Sequence, residues 1–321
     1  MIRYLLDRFL QSVIVLAIMS FVIYWLMGLM PGDPIDLMIS ADPKLTPADA
    51  ERLRGLYGLD KPIAERYFYW LSAALGGDLG FSRLHAKPVL TVLWPALQNT
   101  VVLLGISFIL SVALALPLGI LAAIRQYTKY DYLVNLIAFA GISIPSFWLA
   151  LLLITFFSVM LGVLPASGSG SLELSSGVAE LWDKAKFLIL PIATLIIASI
   201  GSHTRFVRAA MIEVMRQDYI RTARAKGAGE GRVILKHALR NAMIPVATII
   251  ALDFGYLFSG TLIIETIFAY PGMGKLIFDA IMGNDFNLAM IAFLFATVLT
   301  LAGNLLADLA YGWLDPRINY R

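Results

Sequence analysis

The sequence predicts an all-α polytopic membrane protein with six transmembrane helices. The chain of 321 residues is 59% hydrophobic and only 15% charged, whereas a soluble domain is about 45–50% apolar and about a quarter charged. Six apolar stretches are long enough to cross, as helices, a hydrocarbon core about 30 Å thick. Helices are favoured over a barrel, because barrel strands show only short segments of alternating hydrophobicity.

The six predicted spans differ in length. The third is long enough to tilt or to break, and the fourth is the shortest. They cover residues 9–29, 98–124, 132–162, 186–203, 241–263 and 286–311. The first is longer than the apolar core of a signal peptide and has no convincing small-residue cleavage site, so we predict a retained anchor.

The distribution of basic residues predicts that both termini lie in the cytoplasm. The segment 204–240 alone holds nine Lys or Arg residues against three acids. With the N-terminus inside, this segment, the turn around Arg125 and both termini face the cytoplasm, and the more acidic segments face outward. This asymmetry accounts for the net charge of +3 and the pI near 9.0, so no nucleic-acid partner is expected.

Two of the segments between spans are too long to be simple turns. Residues 30–97 form a predicted outer segment that contains the aromatic run Glu65–Leu71, and the aromatic side chains of this run suit the headgroup region of a bilayer. Residues 165–180 are rich in Ser and Gly and predict a flexible outer loop.

Residues 204–240, which we call the elbow segment, carry a helical pattern. Ile212, Met215, Tyr219 and Ala223 recur every three to four residues, which predicts one apolar face of a helix. The other side of this helix is basic. The pattern indicates a surface element rather than a buried one.

Glycines interrupt the elbow segment at Gly227 and Gly229, and a second short helix is predicted from there to Pro245. At Gly227 a positive φ is expected, because glycine accepts the conformation that many helix ends need. A helix–glycine–helix elbow with a basic side can dock a protein. It can also lie on anionic lipid, and the pattern alone leaves both interpretations open.

Catalytic and metal sites are not indicated. The chain has no cysteine, and its three histidines, His85, His203 and His237, lie far apart without metal-ligand spacing. Ser202 and His203 are adjacent, but no orienting acid or oxyanion hole follows at recognisable spacing. No catalytic residue, metal ligand or cofactor-binding residue is therefore predicted.

The run Tyr270–Lys275 superficially resembles a phosphate-binding loop. That loop requires G-x-x-x-x-G-K-[ST], but Ala269 stands at the first glycine and Leu276 at the Ser/Thr position. We therefore expect a turn here and no ATPase in this chain.

A candidate translocation pathway is suggested by two features inside the spans. Asp253 lies in the middle of the fifth span, where a charge usually faces protein or water; a helix–helix hydrogen bond is the alternative. Pro145 interrupts the third span and can kink it or widen a polar pathway. Its neighbours Ser143, Ser146 and Phe147 complete the candidate set.

Seven motifs, in order along nearly the whole chain, resemble the dipeptide/oligopeptide/nickel permease family of ATP-binding-cassette importers. One departure is Asn284–Asn287, where the family commonly has an RDYP-like segment. The order resembles in particular the first, dipeptide-permease-B-like subfamily. The motifs are MIRYLLDRFLQ at the start, PGDP (31–34), YGLDKP (57–62), GDLGFS (77–82), SIPSFWLALLL (143–153), ETIFAYPGMGKL (265–276) and LDPRINY (314–320).

The elbow segment carries this family's form of the ATPase-coupling signature, DYIRTARAKG followed by HALRNAMIP. Aligned on Gly227, the general signature is matched only at Ala223, Gly227, Leu239 and Pro245. The resemblance implies that the coupling helix lies around Arg221–Gly227. The coupling residues that it implies are Arg221, Thr222, Ala223, Arg224, Gly227, His237, Leu239 and Arg240.

The resemblance further implies a type I ABC importer fold in a bacterial inner membrane. A transport core, about residues 95–308, would follow an N-terminal transmembrane helix (1–29) and the outer segment (30–97). A cytoplasmic tail (309–321) would close the chain.

The implied partners are a second, paralogous permease, two ATPase subunits that use ATP and Mg, a soluble substrate-binding protein and membrane lipid. The expected substrate is a di- or oligopeptide or a similar small polar solute. A nickel or metal-chelate importer of the same family is the alternative, and an ion-coupled secondary transporter is a rival from another class. The latter would need pairs of membrane carboxylates or broken half-helices, and only Asp253 lies deep in a predicted span.

Overall fold

A computed structural model of the chain describes residues 2–29, 46–56, 60–171, 177–256 and 261–314. Apart from one short hairpin these residues are mostly helical, which confirms the predicted all-α class. The helices are α1 (Ile2–Gly28), α2 (Pro47–Leu56), α3 (Ile63–Leu75), α4 (Val89–Ile124), α5 (Lys129–Ser143), α6 (Ser146–Leu153), α7 (Val178–Met215), α8 (Asp218–Ala225), α9 (Glu230–Arg232), α10 (Arg240–Tyr256), α11 (Thr261–Ile267), α12 (Met273–Met282) and α13 (Phe286–Leu314).

Two π-helical turns continue helices without a break. Ile154–Met160 extends α6, and Val233–Leu239 joins α9 to α10. The PGDP motif (31–34), residues 57–59 of YGLDKP, and residues 315–321 of the predicted tail lie outside the described residues.

The described helices agree with the prediction of six spans. Five of them are long and apolar enough to cross a membrane. The sixth is the pair α5 and α6, bent by 101° where the third span was predicted to break, and it completes the number if the pair counts as one span. Pro145 explains the bend, since it holds Ile144 extended, with φ −82° and ψ 123°.

The fourth span is much longer than the predicted 186–203. α7 begins at Val178, inside the predicted outer loop, and continues to Met215, inside the elbow segment. Its 38 residues correspond to about 57 Å at 1.5 Å per residue. Two basic residues in this extension have partners: Arg208 pairs with Asp131, and Arg205 lies 4.4 Å from the ring centroid of Phe139.

The predicted stop at Pro245 was wrong. α10 passes through this proline and ends at Tyr256, and the helical run that contains it begins at Glu230. Pro245 is the sixth residue of α10, which directly follows the π-helical turn Val233–Leu239.

The chain divides into two compact units, residues 1–99 with 272–299, and residues 100–271 with 300–321. In the first unit, α1 and α3 pack through aromatic side chains. Tyr67 is buried, its ring meets Phe21 edge-on at 5.2 Å, and its hydroxyl lies 2.7 Å from that of Ser20. The run Glu65–Leu71 is thus helical, with Phe68 and Tyr69 exposed.

The first unit also contains the hairpin of β1 (Phe81–Ser82) and β2 (Lys87–Pro88), fastened to the turn before α13. The buried carboxylate of Asp285 accepts hydrogen bonds from the Ser82 hydroxyl at 2.6 Å and from the Leu84 N–H at 3.0 Å. The Asn287 amide donates to the backbone carbonyls of Leu79, just before the hairpin, and of Phe81 in β1, and Arg83 donates to the carbonyl of Gly283. The divergent 284–287 motif therefore holds the hairpin against the start of α13.

In the second unit α7 packs against α5, α6 and α10. Its approach to α5 is almost backbone to backbone. A Cβ on Gly141 would lie 2.6 Å from the carbonyl oxygen of Ile197, and a Cβ on Gly201 would collide with the carbonyl of Ala138. Small residues at a helix contact allow this close packing in a membrane, where apolar side chains gain nothing from leaving lipid.

Candidate functional site

The elbow segment begins where α7 ends. Gln217 is extended (φ −73°, ψ 149°), so α8 starts in a new direction at Asp218. This break corrects the predicted helical face: Tyr219 is 44% exposed, whereas its neighbour Ile220 is fully buried. The periodicity of the sequence could not show that the phase of the helix restarts at Gln217.

The underside of α8 packs on an apolar cluster from its own chain. Ile220 and Ala223 are buried there against Val207 and Met211 of α7 and against Val233 of the π-helical turn. Since protein interiors are close-packed and transmit displacement, a force on α8 passes directly into α7.

Gly227 forms the turn that ends α8. Its φ is 80°, in the left-handed region, and the N–H groups of Gly227 and Ala228 donate to the carbonyls of Arg224 and Ala223. A Cβ added at Gly227 would meet nothing within 4 Å. Glycine is therefore required here by the backbone conformation and not by lack of space.

The outer side of the elbow segment is charged. Arg224 pairs with Glu230 across the glycine turn through two bonds of 2.8 and 3.2 Å, and Arg221 lies 3.4 Å from Asp218. Thr222 is exposed and donates its hydroxyl to the Asp218 carbonyl. These groups leave a polar surface on α8 above an apolar base.

The three downstream residues of the predicted coupling set lie at the junction with α10. Leu239 packs against the apolar cluster under α8, and His237 is half-buried. Arg240 is exposed at the first position of α10. The fold thus connects the two halves of the coupling signature through the apolar cluster.

An ion pair that the sequence does not suggest fastens the start of α5 to α7. The Arg208 guanidinium donates two bonds, of 2.6 and 2.7 Å, to the carboxylate of Asp131, which is only 2% exposed. Asn135 also donates to Asp131. Arg208 and Asp131 are 77 positions apart, so no local pattern in the sequence could show that they form a pair.

The candidate pathway residues fall into two places. Ser143, Pro145 and Phe147 are exposed at the bend between α5 and α6, and Ser146 is half-buried there. Asp253 lies on α10, and its described hydrogen bond goes to His203 of α7 at 2.9 Å. In the described part of the chain, the structure gives no bond that joins Asp253 to the bend.

Glu265, in the segment 265–276, is completely buried. The Thr100 hydroxyl donates to its carboxylate at 2.6 Å. Burial, with the nearby Glu265 charge, raises the pKa of Tyr270 to about 12. Glu265 is thus an internal structural group rather than a surface contact.

Comparison with known families gives two matches that together cover almost the whole chain. Residues 115–320 match the family described as "Binding-protein-dependent transport system inner membrane component". Residues 1–114 match the family described as "Binding-prot-dependent transport system membrane comp, N-term".

Individual relatives extend over the full chain. The chain is 39% identical over 321 residues to the oligopeptide transport system permease protein AppB of Bacillus subtilis, with 100% of both chains covered. It is 36% identical to the dipeptide transport system permease protein DppB of Alkalihalophilus pseudofirmus and to the glutathione transport system permease protein GsiC of Escherichia coli. Both of these comparisons also cover 100% of each chain.

Proposed function

This chain belongs to the binding-protein-dependent transport system inner membrane components, and from that premise we propose how it works as the permease subunit of an ATP-binding-cassette importer for peptides. It is a multi-pass membrane protein, and the relatives described above are named for oligopeptide, dipeptide and glutathione transport. Its cargo is accordingly a short peptide or a peptide-like solute.

The elbow segment is the ATPase-coupling element of this permease. The observation that carries this proposal is the construction of α8, with exposed polar side chains above and a buried apolar base of Ile220 and Ala223. An ATPase that binds the polar surface of α8 displaces this helix, and the buried apolar contacts then displace α7 with it. α7 continues unbroken to Val178, so the motion reaches the full length of the span.

The partners follow from this arrangement. A second, paralogous permease completes the translocation path, and two ATPase subunits bind and hydrolyse ATP with Mg. A soluble binding protein delivers the substrate from the opposite side, and this chain itself binds no cofactor. Lipid covers the exposed apolar side chains of the spans, such as Phe9 and Ile109.

Gly227→Val tests the coupling role of the elbow segment. A β-branched residue at a φ of 80° costs roughly 1–2 kcal/mol. The turn should therefore shift, and α8 should no longer pack correctly on the apolar cluster beneath it. Substrate uptake and stimulated ATP hydrolysis should fall together by about tenfold. Both are measured on the assembled transporter in proteoliposomes.

Gly231→Val is the matched control, since Gly231 also has open space around its Cβ position but no positive φ. It should transport nearly as well as the wild type. Normal uptake by the Gly227→Val variant would show that coupling lies elsewhere, and disappearance of the variant from the membrane would assign Gly227 to folding.

The proposed orientation places both termini and the elbow segment in the cytoplasm, because the basic residues concentrate there. Reporter fusions at Gln126, Gly168, Lys226 and Asn284 should report inside, outside, inside and outside in that order. An outside signal at Lys226 would remove the elbow segment from reach of an ATPase and end the coupling proposal.

A further inference from the structure

Three contacts between α5 and α7 follow one antiparallel register. A step along α5 toward its end is matched by nearly the same step along α7 toward its start. The contacts are the ion pair of Asp131 and Arg208, the backbone approach of Ala138 and Gly201, and that of Gly141 and Ile197. We call this line of contacts the seam. At 1.5 Å per residue it extends over about 15 Å, which is most of the length of α5.

The two backbone contacts of the seam bring the helices close together without interlocking side chains. Each is made by a glycine against a carbonyl, and a Cβ on Gly141 or on Gly201 would collide with the other helix. Small residues allow such an approach in a membrane, but they oppose sliding along the helix axis only weakly. The exposed side chain of Arg205 covers the Phe139 ring at 4.4 Å, a contact that does not fix direction. Resistance to sliding therefore depends mainly on directional bonds.

The ion pair supplies these directional bonds. Arg208 Nε and Nη2 donate to the two carboxylate oxygens of Asp131 at 2.6 and 2.7 Å, and two parallel bonds fix the orientation of the guanidinium as well as its distance. The carboxylate is itself held at the start of α5, because the Tyr127 N–H donates to it at 3.0 Å and the Asn135 amide at 2.8 Å. Arg208 is therefore fastened to the first turn of α5 in one position.

Arg208 also lies at the place where α7 meets the apolar cluster under α8. Val207 precedes it and Met211 lies one turn later, and both are buried in that cluster. Close-packed side chains transmit displacement. A displacement of α8 that reaches α7 through Val207 and Met211 therefore reaches Arg208 as well.

The other end of α5 leads to the bend at Pro145. The helix after the bend, α6, packs on a different part of α7, where Ala150 and Leu190 are buried in one apolar cluster. α7 thus holds both arms of the bend, α5 through the seam and α6 through this cluster. A change in the position of α5 along α7 changes the geometry of the bend.

We infer that Asp131 and Arg208 are positioning residues that make α5 move together with α7, so that a displacement of α8 reaches the bend at Pro145. This inference rests on the proposed coupling role of the elbow segment. Without the ion pair α7 still follows α8, but α5 slips along the seam. ATP is then hydrolysed without the matching transport of substrate.

The amount of substrate taken up per ATP hydrolysed tests the inference. It is measured on the assembled transporter with its binding protein in proteoliposomes, with a labelled dipeptide, oligopeptide or glutathione that the wild type takes up. The double variant Asp131→Asn with Arg208→Gln neutralises both groups, so no unpaired charge stays buried. Its ATP hydrolysis should stay close to that of the wild type, whereas its uptake per ATP should fall roughly fivefold, as for residues that carry coupling. Arg208→Lys keeps the charge but not the two parallel bonds, so its ratio should lie between the two.

The matched control is Glu180→Gln with Lys184→Gln, which neutralises an exposed ion pair within α7 and should leave uptake per ATP unchanged. A merely structural ion pair would change only the number of assembled transporters. Uptake and hydrolysis would then fall in proportion, and an unchanged ratio in the Asp131 and Arg208 variants would overturn the inference. The proposed function is judged separately by Gly227→Val. A defective Gly227→Val variant beside a fully coupled double variant would reject only the role of the ion pair.

The slip along the seam is measured on the purified full chain in lipid nanodiscs, which needs no assembled transporter. Because the chain has no cysteine, spin labels can be placed at Leu136→Cys on α5 and Ile189→Cys on α7, both exposed. The distance distribution between the labels should broaden in the double variant and keep its wild-type width in the control variant. A distribution of wild-type width in the double variant would show that the seam keeps its register without the ion pair and would refute the inference.

Discussion

Two helix breaks in the second unit differ in how the residues that follow them are packed. At the end of α7 the chain breaks at Gln217, and the following helix sits on buried Ile220 and Ala223, with its charged groups outward. Between α5 and α6 the chain breaks at Pro145, and the following residues, Phe147 and Trp148, are 47% and 48% exposed. The first break is held by contacts within its own chain, whereas the second presents apolar side chains to its surroundings.

This difference separates an element that transmits motion from one that responds to its environment. A helix seated on its own apolar cluster moves together with the span beneath it. A bend with exposed apolar side chains depends on lipid or a neighbouring subunit for its packing. The two regions should therefore respond differently to substitution in the isolated chain.

The largest expected effect is the loss of the ion pair that fastens α5 to α7. Arg208→Ala leaves the buried Asp131 carboxylate without its partner and should cost about 3 kcal/mol in the free energy of unfolding, near the lower end of the range for buried pairs. Arg208 keeps some exposure, which argues for the lower end. Denaturant unfolding of the purified chain in detergent micelles measures the cost.

Arg205→Ala is the control for that experiment, because Arg205 is exposed and on the same helix. Its effect should be several times smaller. An equal effect for the two variants would mean that the ion pair contributes nothing beyond loss of a basic side chain.

A direct comparison of the two breaks gives the next largest effect. Ile220→Ala removes a fully buried side chain under α8 and should cost about 2 kcal/mol. Phe147→Ala removes a larger but half-exposed side chain and should cost less than about 0.5 kcal/mol in micelles. The same unfolding measurement on both variants decides whether the elbow segment is the more strongly supported region, and a reversed order would contradict our comparison.

The smallest expected effect concerns the surface of the elbow segment. Glu230→Gln removes the partner of Arg224, but these side chains are 63% and 39% exposed, so the loss should be about 0.5 kcal/mol. It should shrink further when salt is raised to about 1 M, where charges are screened over about 3 Å. A loss that is large and insensitive to salt would show that this pair, and not the apolar base, holds the elbow segment together.

Much of the fold follows from patterns along the chain. The six apolar runs predicted the spans, Pro145 predicted the break in the third, and glycine at position 227 predicted the left-handed turn. Each of these features depends on the local sequence alone, either on apolar length or on the conformation of one residue.

The remaining features depend on distant partners. Arg208 pairs with Asp131, 77 residues away, and no local pattern shows this pair or the continuation of α7 to Met215. Tyr219 was predicted to lie on the apolar face of the helix, but Ile220 is the buried residue, because a new helix begins after Gln217. His203 gave no sign in the sequence that both its ring nitrogens have partners on other helices.

The joint between the hairpin and Asp285 has a consequence for how the protein is made. Ser82 and Asp285 are separated by 203 residues, and at a synthesis rate of about 5–20 residues per second the ribosome needs roughly 10–40 s to span that interval. Until then the hydroxyl of Ser82 and the N–H of Leu84 have no carboxylate to bind. The hydrogen bonds of Ser82 and Leu84 to Asp285 can therefore form only after the start of the last span has been synthesised.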